Sequence, residues 1–305
     1  MNGTVHVIAP SGPLSGDWAD RGLAHVRRRF GEPTLAANLR ECSGYFAGDD
    51  DERLRGIETA LRDDAARIVW AVRGGYGATR LLSRLDPSLL RPPGAPPKIL
   101  VGFSDVTALL CWAWSRARLP SIHGPVVTQL DLLPPEDLER LWDLLDGEIP
   151  PPLVAEAPEA TALHGGRVEG TLIPANLEVL RSLAGTPFMP DLRGAILALE
   201  DVGERPYRLD RALTQLLESG ALRGVVGVAV GDLHGCVEPQ DGGSRGWSAV
   251  EVFAERLGRL GVPLVTGFPF GHAPGRNAAL PFGVRGRLDA SGGTLEVLEP
   301  VHLLC

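Results

Sequence analysis

Lysine is almost missing from this chain: of 305 residues only Lys98 is a lysine, although Lys and Arg together number 30. Schiff-base chemistry, pyridoxal phosphate attachment and a P-loop each need a placed lysine, and Lys98 lies in Pro-Pro-Lys-Ile-Leu-Val, which is not a glycine-rich phosphate loop. Cysteine is scarce and scattered. Cys42, Cys111, Cys236 and Cys305 have no Cys-x-x-Cys spacing, so neither a disulfide framework nor a zinc site is signalled and a reducing compartment fits best. No apolar run approaches the roughly 18 residues that a membrane span needs, and no basic segment leads into an apolar one at the start. A cytoplasmic protein without a membrane partner is expected. Basic charge is also in deficit, with 38 acidic residues and a formal charge of -8, which removes any general attraction to nucleic acid.

What is present is ordinary for a folded protein: 44% hydrophobic residues, 22% charged, and enough length to bury one large core or two moderate ones. Short β-branched runs alternate with amphipathic stretches, which predicts an α/β protein built from βα units. Strands are expected at 5–9, 68–72 and 99–101. Helices are expected at 17–30 with Ser15 as a cap, at 52–65, from the Arg73-Gly74-Gly75-Tyr76-Gly77 turn through Leu85, at 106–114 and at 136–145. A Pro/Ala/Glu-rich stretch at 148–162 reads as a linker. The predicted organisation is therefore a domain at 1–150 with a mostly parallel sheet flanked by helices, a linker at 151–165, and a second α/β domain at 166–305. In that second part strands are expected at 195–199, 225–230 and 263–266, helices at 207–218 and 249–260, and a terminal β-hairpin at 284–288 and 294–298.

Ser104 is the first chemical candidate, because Ile99-Leu100-Val101 runs through Gly102-Phe103-Ser104-Asp105 straight into a helix. A sharp strand-to-helix turn pushes a serine hydroxyl outward beside free helix amides. Ser104 is thus either a nucleophile or a helix N-cap, since Val106 stands where a G-x-S-x-G motif has its second glycine. The backbone N–H of Asp105 and an amide of the Gly74-Gly75 turn are candidate oxyanion donors. Seven histidines are on offer as a base, His6, His25, His123, His164, His234, His272 and His302; His6 sits in a strand and His25 in a helix, where a structural role is expected. His272 lies in the Gly/Pro-rich loop from Gly267 to Gly275, which would fix a general base. Glu200 closes the apolar run 195–199 and could hold an imidazole tautomer; Asp105, Asp201 and Glu204 are fallback acids. No set of residues has metal-ligand spacing, and neither a metal nor an organic cofactor is expected.

Taken in order, Ile8-Ala9-Pro10-Ser11-Gly12-Pro13, Arg73-Gly74-Gly75-Tyr76-Gly77, Gly102-Phe103-Ser104-Asp105, Leu199-Glu200-Asp201, Gly231 to Cys236 and Pro269-Phe270-Gly271-His272 resemble the LD-carboxypeptidase family of serine peptidases. That family includes the muramoyltetrapeptide carboxypeptidases and the microcin C immunity proteins. The resemblance implies a two-domain homodimer with a Ser104–Glu200–His272 triad straddling the domains. It further implies hydrolysis of the L,D-amide that releases terminal D-alanine from a peptidoglycan tetrapeptide, a small muropeptide. Cleavage of a microcin-type peptidyl-nucleotide is the alternative within the family, and a non-catalytic wall-peptide binding protein is the alternative outside it. Arg73, Tyr76, Asn176 and Arg276 are the candidate substrate contacts. An exopeptidase must recognise a free carboxylate, and with one lysine the anchor is expected to be an arginine or a helix N-terminus. One departure stands out: Pro174-Ala175-Asn176-Leu177 replaces the Gly-Gly-Asn-Leu common in the family.

Overall fold

The computed structural model describes residues 4–91, 94, 97–156, 161–238 and 246–301. His302 and Cys305 lie outside the described residues. The first half contains β1 (Thr4–Ile8), α1 (Trp18–Phe30), β2 (Thr34–Leu35), α2 (Asp50–Arg62), β3 (Ala66–Ala71), β4 (Ile99–Gly102), α3 (Thr107–Ala117), β5 (Ser121–His123) and α4 (Pro135–Asp146). There follow β6 (Leu153–Val154), β7 (Thr161–His164), β8 (Arg167–Asn176), α5 (Leu177–Ser182), β9 (Ala195–Glu200), α6 (Pro206–Glu218) and β10 (Gly227–Val230). The chain closes with α7 (Ala249–Gly258), β11 (Leu264–Thr266), β12 (Leu280–Phe282), β13 (Arg285–Asp289) and β14 (Thr294–Val297).

The strands form two sheets, ordered β12-β5-β4-β3-β1-β2 and β6-β14-β13-β8-β9-β10-β11-β7. In the first, every pair is parallel except β12 against β5; in the second, β8 to β11 are parallel and the flanking strands antiparallel. All six residues of β9 are buried, the signature of a central parallel strand covered on both faces. The expected α/β architecture and the terminal hairpin, formed by β13 and β14, are both present.

Several expectations need correcting. The helix expected through Leu85 is only a 3₁₀ turn at Ala78–Arg80 followed by further turns; Pro87 closes a segment too short for stable α-helical propagation. α2 starts at Asp50 because Asp49 and Glu52 form a reciprocal capping box, and Ser15 caps nothing, the N-cap position of α1 being Asp17. The stretch read as a linker carries β6 and β7, which pair with β14 and β11; its residues 157–160 lie outside the described set. β8, the longest strand, carries no alternating pattern that the sequence reading could use. Nor does the second domain stay on its own side, since β12 returns to pair with β5 of the first sheet. One apolar cluster joins the halves, with Phe103, Val106 and Leu109 packed in the same core as Ile173, Leu177 and Leu180.

Candidate active site

β4 ends at Gly102, and a single 3₁₀ turn, Ser104–Val106, leads from it into α3. Ser104 has φ +61°, one of two non-glycine residues with positive φ among those described. Left-handed backbone costs an L-residue about 1–2 kcal/mol and survives only where the surroundings impose it. The surroundings here are tight. A Cβ on Gly102 would lie 2.8 Å from Val106 Cγ1, and one on Gly74 would lie 3.0 Å from Ser104 Oγ. Two glycines thus let the ends of β3 and β4 close around the hydroxyl. The cap positions of the 3₁₀ turn and of α3 belong to Phe103 and Val106, so the N-cap alternative for Ser104 is not what the backbone adopts.

The carboxylate of Asp105 is occupied, accepting from Ser11 Oγ at 2.6 Å and from the Ala78 N–H at 2.8 Å. Burial pushes it above the usual carboxylate range, against those hydrogen bonds. Its side chain serves the turn, which leaves its backbone for any role toward substrate. Gly75 is exposed and donates no backbone hydrogen bond among the described residues.

From the second sheet, Glu200 ends β9 at 0% exposure. His272 stands in the loop between β11 and β12, with Nδ1 2.6 Å from Glu200 Oε2. The ring of Phe103, the residue before Ser104, lies 4.6 Å from the His272 imidazole between centroids, which places that imidazole beside the strained turn. The His272 loop is fastened internally, to α4 and to the loop after β10: Gly271 N–H donates to Asn277 Oδ1, Asn277 N–H to Asp137 Oδ2 of α4, and Asp232 N–H to the Phe270 carbonyl. Burial alone would lower the His272 pKa, but the charges of Glu200, Asp201 and Asp232 and the Glu200 hydrogen bond outweigh it, and the net direction is upward.

Of the fallback acids, none reaches His272. Asp201 accepts from Asn176 Nδ2, Glu178 N–H and Val202 N–H, and burial followed by the Glu200 charge pushes its carboxyl up to about 7. Glu204 pairs with Arg208. Asn176 is 5% exposed, and its side chain caps α5 through Val179 and donates to Asp201, which braces the site. Arg276 is held by Asp137 and Glu156. Arg73 differs: it donates to the Pro13 carbonyl, forms no ion pair among the described residues, and lines an open hollow of about 520 Å³ with Gly12, Tyr45, Gly75 and Tyr76. Tyr76 is 51% exposed there and packs against Tyr45 and Phe46.

Two groups beside the pair escaped the reading of the sequence. His123, at the end of β5, is fully buried with Nε2 3.9 Å from Glu200 Oε1, and Asp232 flanks Gly271, the residue before His272, from the same side as Glu200, a Cβ there lying 3.1 Å from Asp232 Cβ and 3.2 Å from Glu200 Cβ. For both, the available signal was position at a strand end, the same signal that selected Glu200. Among the described residues no group of three or more His, Cys, Asp or Glu could hold a metal ion, and no helix is long and apolar enough to cross a membrane.

Residues 5–124 match the LD-carboxypeptidase N-terminal domain and residues 169–288 its C-terminal domain. The chain is 38% identical to a relative from Synechocystis sp. over 96% of this chain and 93% of that protein. It is 35% identical to the murein tetrapeptide carboxypeptidase of Pseudomonas aeruginosa, over 93% and 92% of the two chains. Among solved structures, the muramoyltetrapeptide carboxypeptidase of Oxalobacter formigenes superposes with a TM-score of 0.81 at 32% identity, covering 96% of this chain and 97% of that one. The microcin C7 self-immunity protein MccF shares the fold, with a TM-score of 0.83 at 22% identity over 98% and 96% of the chains. A strained serine, a histidine paired with a buried glutamate and both family domains therefore occur in one chain, which belongs to the LD-carboxypeptidase family.

Proposed function

We propose that the chain is a cytoplasmic serine carboxypeptidase that removes terminal D-alanine from the L,D-linked peptidoglycan tetrapeptide, acting as a homodimer. The reading is supported by the strained backbone of Ser104 at φ +61° together with His272, whose Nδ1 is 2.6 Å from the buried Glu200 and whose ring lies 4.6 Å from that of Phe103, the residue before Ser104.

In the proposed reaction Ser104 Oγ attacks the carbonyl carbon of the L,D-amide while its proton passes to His272 Nε2. Glu200 holds the His272 Nδ1–H and stabilises the imidazolium. The N–H groups of Gly75 and Asp105 receive the oxyanion. The C–N bond then breaks as His272 returns the proton to the departing D-alanine amine, and water, activated by the same histidine, releases the acyl group from Ser104. Arg73 is the proposed anchor for the terminal carboxylate because no carboxylate of the described protein claims it, whereas Arg276 is already paired with two.

The test incubates the protein with a muropeptide tetrapeptide and, separately, with a peptidyl-nucleotide, each followed by mass spectrometry alongside Ser104→Ala and His272→Ala. Release of D-alanine by the parent protein, lost in both variants, is the expected result. Turnover of the peptidyl-nucleotide alone would replace the substrate assignment. Tight binding without turnover of either would replace the enzyme by a wall-peptide binding protein, and sedimentation of the same sample reads the oligomeric state.

A further inference from the structure

Behind the Glu–His pair lies a second imidazole that the reaction as written does not use. His123 is 0% exposed, and among the described residues neither of its ring nitrogens has a hydrogen-bond partner. The buried Glu200 Oε1 has none either, and the two orphans face each other, with Nε2 3.9 Å from Oε1. The other carboxylate oxygen, Oε2, is committed to His272. A buried carboxylate oxygen without a donor is costly, and so is a buried imidazole N–H without an acceptor; set opposite each other, each moderates the other's cost.

The backbone explains the placement. His123 is in register with Gly102 across β5 and β4, so it stands one strand away from the turn that carries Ser104. Phe103 touches both imidazoles, its ring edge-on to His123 at 6.0 Å and tilted on His272 at 4.6 Å. Burial, moderated by the Glu200 charge and reinforced by His272, pushes the His123 pKa down to about 4, so this ring is neutral when the enzyme works and presents one N–H.

We infer that His123 is a positioning residue, its neutral imidazole carrying the proton on Nε2 and directing it at Glu200 Oε1, which fixes the carboxylate so that Oε2 faces His272. The inference rests on the Ser104–Glu200–His272 reading. Its consequence has a definite sign. The N–H dipole of His123 places positive potential near Glu200 and His272; without it, the His272 imidazolium is stabilised further and its pKa rises. The titratable groups facing His272 are Glu200, Asp201 and Asp232, and those facing His123 are Glu200 and His272.

Two measurements test this. In the parent protein, nitrogen-15 spectroscopy of labelled histidine between pH 6 and 8, with His123 assigned by its loss in His123→Gln, should show a neutral ring protonated at Nε2. Protonation at Nδ1, or conversion to imidazolium within that range, overturns the inference whatever any variant does. In kinetics, His123→Phe should lower kcat by about 3-fold or more, less than for a full hydrogen bond to a charged group because Nε2 stands 3.9 Å from Oε1, with KM little changed and the acid limb of the rate profile moved to higher pH. His123→Gln, which keeps an N–H donor, should recover most of kcat and return the limb. A His123→Phe enzyme with parental kcat and limb refutes the inference while leaving the triad intact. Parental turnover in Ser104→Ala, by contrast, refutes the triad itself.

Discussion

Replacing Glu200 by Gln isolates the charge that the site is built around, because shape and one hydrogen-bond acceptor survive while the negative charge does not. With Nδ1 and Oε2 2.6 Å apart, the charge centres of imidazolium and carboxylate lie about 4 Å apart. At an effective dielectric constant of ~20 such a pair attracts by about 4 kcal/mol, so loss of the charge alone accounts for up to about 10³-fold in kcat/KM, with any wrong imidazole tautomer imposed by the amide adding to it. The pH dependence gives a sharper test. His272 accepts the serine proton only when neutral, so the acid limb of kcat/KM tracks its pKa. Burial lowers that pKa, and the Glu200 charge is the largest contribution acting against it. Removing the charge leaves burial opposed only by Asp201 and Asp232, and the limb of Glu200→Gln should move to lower pH even as the plateau falls. The assay is D-alanine release across pH 4 to 9 by coupled detection, with each variant checked for folding by circular dichroism. A limb that stays in place or moves upward would show that Glu200 does not set the charge state of His272. A plateau equal to the parent's would show that the pair takes no part in turnover.

Other substitutions read other parts of the site. Gly74→Ala sets a methyl 3.0 Å from Ser104 Oγ and should lower kcat about 10-fold or more by displacing the nucleophile, with little change in the thermal midpoint; full kcat would mean that the hydroxyl is free to move. Ser104→Gly and Ser104→Ala should both be inactive, but glycine should be the more stable of the two by up to about 1 kcal/mol in urea titration, because only glycine relieves φ +61°. Alanine as the more stable variant would contradict the strain. If Arg73 anchors the terminal carboxylate, capping that carboxylate as an amide should cut kcat/KM by about 10-fold or more in the parent and by much less in Arg73→Ala, and equal losses in the two would move the anchor elsewhere.

Strands that are buried on both faces were legible in the sequence because they are uninterrupted apolar runs: 68–72, 99–101 and 195–199 appear as β3, β4 and β9. Helices with a wide apolar stripe, such as α4 and α6, were equally clear. β8 was not, because Gly170 and Pro174 interrupt it. Pro174 is tolerated there because among the described residues its strand pairing is with Ala198 of β9, the pairing of β8 with β13 stopping at Thr171 opposite Arg285. Ser104, Glu200 and His272 could be nominated one by one because each sits where an apolar run gives way to a loop; their grouping came only through the family resemblance, and local pattern alone does not bring Glu200 within 2.6 Å of His272. His123 was invisible for the opposite reason: a histidine at the end of a three-residue strand carries no pattern, and its importance comes entirely from which strand end it faces.

The same limit applies to the domain boundary, and there the physics favours a different division from the one composition suggests. A linker between two independent domains would leave Ser104 and His272 on bodies free to shift, and catalysis by positioned groups loses about 10²-fold for displacements near 1 Å. β12 removes that freedom. It continues directly from the His272 loop and pairs with β5, while Asn277 between them binds Asp137 of α4 and Arg140 of the same helix donates to the Ala279 carbonyl. The loop that carries His272 is thus tied at one end to β11 of the second sheet and at the other to the sheet that carries Ser104. Loosening the second tie should therefore act on rate before it acts on folding. In Asp137→Asn the Asn277 N–H keeps an acceptor but Arg276 loses one of its two carboxylates, and kcat should fall more than the thermal midpoint does. A variant that loses stability in proportion to kcat would instead make the tie a matter of folding alone.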